Sequence, residues 1–135
     1  MKHTSLDRPY HKVARLLKTI SQPARLEILQ ALGTSEACVC HLEVRLGRRQ
    51  AYISQQLMIL RDVGLVTARR DGRNIFYSLK DSKILELIQL GGHIAQIPEN
   101  VILHAETDGS LPGCNCPHCA PEGSQELALD TAKIS

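Results

Sequence analysis

Apolar positions recur with a helical period through most of the chain and switch to alternation once. Val13, Leu16, Leu17 and Ile20 follow the i, i+3, i+4, i+7 rule, which predicts a helix over about residues 10–20 with one apolar stripe. Ser21 ends it and is the expected N-cap of a second helix, because Pro23 tolerates an early helical position. That helix carries Leu26, Ile28, Leu29 and Leu32, and Gly33 stops it. A shorter third helix is expected after Cys38 and Cys40, with Leu42 and Leu46 inward and Gly47 as terminator. The turn Gly47-Arg48-Arg49 leads into a fourth, about Gln50 to Asp62, whose inward stripe is Ile53, Leu57 and Leu60. Two helices joined by a tight glycine turn form a helix-turn-helix.

The period then becomes two. Residues 65–70 and 73–79 flank Asp71-Gly72, which is the expected hairpin turn, so the pair reads as a wing. A last helix, about Ser82 to Gln96, shows Ile84, Leu87, Ile88 and Ile94 before Pro98. It is more apolar than a terminal helix needs to be in water, which assigns it, with the first helix, to a homodimer interface. The expected fold is mainly α with a small β-hairpin: a homodimeric winged helix-turn-helix. Residues 1–106 form the DNA-binding and dimerisation domain. Residues 107–135, rich in Gly, Pro, Ser and Asp, form a flexible cysteine-rich tail.

Composition agrees with this pattern. Of 135 residues 43% are apolar but only 3% aromatic, so the core must be aliphatic. The formal charge of +2 says little, yet Arg45, Arg48, Arg49, Arg61, Arg69, Arg70 and Arg73 cluster mid-chain, a field suited to a polyanion. The N-terminus lacks an apolar signal core and no stretch is long enough to span a membrane, so the chain is expected in the cytoplasm. No phosphate-cradling glycine loop is present, and the only Cys-x-x-Cys, Cys116 to Cys119, lies in the tail; an enzyme is not expected.

A helix entering the major groove presents its N-terminal residues to base edges. Here these are Gln50, Tyr52, Ser54 and Gln55, and Gln can pair with adenine through two hydrogen bonds. Arg48 and Arg49 at the helix start are assigned to phosphate. Arg69, Arg70 and Arg73 at the wing are assigned to backbone or a narrow minor groove. The partner is double-stranded operator DNA.

The five cysteines fall in two clusters, Cys38/Cys40 and Cys114/Cys116/Cys119, which in a reducing compartment read as metal ligands or redox thiols. Thiolates favour soft or borderline ions such as Cd(II), Pb(II), Zn(II) or As(III). Two ligands are too few for tight binding, so the tail is expected to add sulfurs, within a subunit or across the dimer. His41 is read as a neighbour of the site or a solvated residue, not a ligand.

Residues 16–79 also carry a dense resemblance. Ser21-Gln-Pro-Ala-Arg-Leu-Glu-Ile-Leu29, Ile53-Ser-Gln-Gln-Leu57, Leu60-Arg61, Gly64-Leu-Val66, Arg69-Arg70, Gly72-Arg73 and Phe76-Tyr77-Ser-Leu79 resemble the ArsR/SmtB family of metal-responsive repressors. The resemblance implies a winged dimer that holds a palindromic operator until metal binds. It also implies a thiol motif ahead of the recognition helix, matched by Cys38-Val39-Cys40-His41-Leu42 with two departures: His41 replaces an aspartate, and Glu43 stands where arsenic sensors carry a third cysteine. The family's other site, on the final helix, is not matched by the spacing of Asp81, His93, His104 and Glu106, which read as surface residues. The alternative inducer on the same fold is an oxidant or reactive sulfur species acting on the thiols.

Overall fold

The computed structural model describes residues 8–102. The expected tail, with Cys114, Cys116 and Cys119, and the boundary at residue 106 lie outside the described residues, as do His104 and Glu106. Helix α1 spans Pro9–Ile20 and α2 spans Pro23–Leu32, each opening with proline in its first turn. The N-cap of α2 is Gln22 instead of the expected Ser21. A residue before proline is forced out of the helical region, and Gln22 accordingly sits extended at φ −102°, ψ 129°. Ser21 instead closes α1, its Oγ donating to the Lys18 carbonyl at 2.7 Å.

Strand β1, Glu36–Cys38, runs directly into α3, Val39–Leu46, so the cysteines straddle a helix start where the sequence suggested a helix beyond both. Gly47 then adopts the left-handed conformation (φ 66°), its N–H meeting the Glu43 carbonyl at 2.9 Å, and the chain turns into α4, Gln50–Asp62. Strands β2, Val66–Asp71, and β3, Asn74–Leu79, form the wing. Asp71 pairs with Asn74, so the two-residue turn is Gly72-Arg73, one position later than expected. Gly72 holds the positive φ (63°) and Arg73 does not, which is the glycine-first turn compatible with strand twist. Helix α5 covers Lys83–Ile94, and a short α6, Glu99–Ile102, follows Pro98.

The sheet order is β1-β3-β2, all antiparallel. One face carries Ala37, Val66, Tyr77 and Leu79 into the core. Ile28, Leu29, Leu32, Leu42, Ile53, Leu57 and Leu60, all fully buried, fill it from α2, α3 and α4. The stripe on α1 behaves differently: Ile20 is buried, but Val13 and Leu17 are exposed. Among the described residues no helix is long and apolar enough to cross a membrane.

Candidate nucleic-acid interface and thiol site

Helix α4 is amphipathic in the sense its sequence requires. Ile53, Gln56, Leu57 and Leu60 are buried, while Gln50, Tyr52 and Gln55 are exposed and Ser54 is half-buried. Packing against α2 and α3 fixes the helix and leaves its first two turns presented outward. Gln56 is a buried polar residue that periodicity did not single out. Its amide oxygen accepts from Arg25 Nε at 2.9 Å, and the same guanidinium donates to the Thr19 carbonyl at 2.8 Å. Arg25 therefore joins the C-terminal turn of α1 to the inward face of α4.

The arginines divide into two groups. Arg49, Arg70 and Arg73 are exposed and form no ion pair among the described residues. Arg48 and Arg69 are each held by a glutamate distant in sequence. Arg48 Nε donates to Glu27 Oε2 at 3.1 Å, and its guanidinium lies 5.7 Å from the centre of the Tyr52 ring. The hydrogen bond to Glu27, reinforced by the carboxylate charge, raises the Arg48 pKa above its ordinary value. Arg69 Nε donates to Glu36 Oε2 at 3.2 Å, with a second bond from its other end to Oε1, and stacks 5.0 Å over Phe76. The sequence assigns Arg48 to phosphate and Arg69 to backbone or a narrow minor groove; each is a structural fastener, one tying α2 to the turn before α4, the other tying β1 to β2.

Cys38 and Cys40 are brought together. Their sulfurs lie 2.8 Å apart without a disulfide between them, Cys38 buried and Cys40 half-buried. Cys38 is the N-cap of α3, and the backbone N–H of His41 donates to its sulfur at 3.4 Å. An N-cap sulfur sits where the helix's unpaired N–H groups favour negative charge, the form in which sulfur ligates and attacks. His41 is buried at 3% exposure, so it is not a solvated residue. Of the residues considered for a site on the last helix, Asp81 accepts from the Lys83 N–H at 2.9 Å and His93 pairs with Glu99 at 3.0 Å.

A two-helix reading head, a basic wing and a half-exposed recognition helix define a winged helix-turn-helix DNA-binding regulator. The chain belongs to the ArsR family: residues 22–68 match the family described as "Bacterial regulatory protein, arsR family", and it is a transcriptional repressor of the ArsR/SmtB type. It is similar to the biofilm growth-associated repressor of Agrobacterium fabrum, with 45% identity over 78 residues, 58% of this chain and 67% of that protein. It is also similar to the SmtB homologue of Synechocystis, 39% identical over 62% of each chain. Among solved structures, the repressor BigR from Xylella fastidiosa matches with TM-score 0.60 and 37% identity over 70% of this chain and 96% of that one. HlyU from Vibrio cholerae matches with TM-score 0.59 and 33% identity over 65% and 96%.

Proposed function

We propose that this repressor is a cytoplasmic homodimer whose hold on operator DNA is released when a soft metal or metalloid, Cd(II), Pb(II), Zn(II) or As(III), is bound by Cys38 and Cys40. The observation that carries the reading is the convergence of the two sulfurs at the start of α3, the helix packed against the recognition helix. The donor set suits thiophilic ions, and a bound ion would supply a charge that draws the two thiolates together. Among the described residues no group of three or more Cys, His, Asp or Glu converges. Further sulfur is drawn from Cys114, Cys116 or Cys119.

Dimerisation is supported by the apolar residues left exposed on the terminal helices, Tyr10, Val13 and Leu17 of α1 with Leu90 and Ile94 of α5 and Val101 of α6. Leu17 and Val101 line a groove of about 1000 Å³ together with Ile20, Leu26, Leu87 and Ile88. A dimer must present two α4 helices at the half-site spacing of one DNA turn, so a small movement of α3 at the sulfurs is enough to spoil the fit. Coupling of about 1–3 kcal/mol, typical of such linkage, corresponds to roughly 5–150-fold in affinity.

The test is a titration of the reduced full-length protein with Cd(II), reading near-ultraviolet thiolate-to-metal absorption and the anisotropy of a labelled duplex selected by this protein from a random pool. Absorption that rises together with DNA release supports the proposal. Release by an oxidant or persulfide, with no Cd(II) absorption, transfers the same site to thiol redox sensing; no response to either overturns both.

A further inference from the structure

We infer that Arg69 is a positioning residue for the wing, acting through Glu36, and that the wing's grip on DNA is delivered by Arg70 and Arg73. The register places Cys38 and Arg69 on either side of Phe76, and Glu36 and Thr67 on either side of Ser78. These six residues therefore share the sheet face opposite the core. On that face the Arg69 side chain crosses over β3: it covers the buried Phe76 ring and reaches Glu36 on the far strand through two hydrogen bonds. One side chain thus links both edges of the sheet.

Its position along the hairpin gives the link its consequence. Strand β1 backs β3 only from Phe76 to Ser78. Beyond the Arg69–Phe76 level the wing is a two-stranded ribbon, Arg70–Ile75 and Asp71–Asn74, closed by Gly72-Arg73. Two-stranded ribbons twist more than wider sheets and are marginal alone. The residue at the last three-stranded level sets the direction in which the ribbon leaves, and that residue is Arg69. A guanidinium that gives Nε and Nη2 to one carboxylate, has Asp71 4.0 Å from Nη1 and stacks on a ring is oriented within the protein. Arg70 and Arg73, exposed and beyond the fastened level, are carried to the DNA by it. The inference is independent of the thiol reading, since it requires only that the wing touches DNA.

The test uses the full-length protein and the selected duplex, with affinity measured across a salt series. Arg69→Gln and Glu36→Gln are each expected to weaken binding by roughly two- to fivefold, the scale of one exposed but doubly bonded pair, with the salt slope unchanged. The double variant is expected to be no weaker than either single one, and the exchange Glu36→Arg with Arg69→Glu to recover most of the loss. Arg70→Gln and Arg73→Gln should each lower the salt slope by about one. Thermal melts accompany every variant. If Arg69→Gln melts early, Arg69→Lys takes its place, since lysine keeps the charge without the two-ended bond and is expected to lose the same affinity. The inference is overturned if Arg69→Gln lowers the slope by about one, if Glu36→Gln tightens binding, or if neither variant changes affinity.

Discussion

Arg25 and Gln56 are joined at 2.9 Å across the boundary between the body of the protein and its reading helix. The bond is between a charged donor and a buried amide, and Arg25 also closes the last turn of α1 through the Thr19 carbonyl. The position of the recognition helix is thereby tied to the helix whose outer stripe lies open for a partner.

Replacing Arg25 with leucine should destabilise the protein by about 1.5–3 kcal/mol, the usual cost of losing a hydrogen bond to a charged group and leaving its partner buried. Urea unfolding followed by circular dichroism measures this. In a double-mutant cycle, Gln56→Leu should cost little more once Arg25 is gone, and equal additive costs would show that the two do not act together.

Serine substitution separates sulfur chemistry from helix capping. Cys38→Ser should keep the N-cap of α3, since serine caps well, and so preserve both stability and DNA binding. Its Cd(II)-induced release should fall to under a tenth of the parent's. Cys40→Ser should do the same, because the two sulfurs approach one point. Parallel melting and anisotropy titrations check both statements; a Cd(II) response retained in both variants would refute the assignment of the site.

The exposed glutamines at the head of α4 should govern sequence preference without altering electrostatics. Gln55→Ala is expected to relax discrimination at one base position by about 1–3 kcal/mol while leaving the salt slope as it was. Selection from randomised duplexes, repeated for the variant, reads the change directly.

Leu57 has no exposed surface and lies among α2, α3 and α4. Leu57→Ala should cost about 2–5 kcal/mol, from lost burial and the cavity left behind. A shift in the urea midpoint with unchanged slope is the expected signature.

A glutamate at Ile94, which is 78% exposed, should leave the protomer folded and abolish pairing. Sedimentation would then show a monomer, with DNA affinity reduced by at least tenfold because a single half-site is gripped. A dimer that survives this change would place the interface elsewhere.

Much of this architecture was written in local periodicity. Helix α4 runs from Gln50 to Asp62 as its stripe of Ile53, Leu57 and Leu60 implies, because those three positions face one core. The wing was legible from alternation, although the turn moved by one residue once pairing chose Gly72-Arg73. Strand β1 was not legible. Glu36-Ala37-Cys38 is too short to show a period, and it is a strand only because β3 offers it an edge. The arginines showed the same limit. Their charge was readable, but the glutamates that hold Arg48 and Arg69 lie 21 and 33 residues away, and only folding brings them near. Gln56 was missed because a polar residue on an apolar face acquires its reason from Arg25 on another helix.

Cys38 ends β1 and begins α3, so a single sulfur is shared by the strand fastened to the wing and the helix that steadies the reader. A tug there has no slack to take up on one side alone. On the proposed reading, groove contact and flank contact would therefore be disturbed together, and DNA release by a ligand at this sulfur would be a single concerted step.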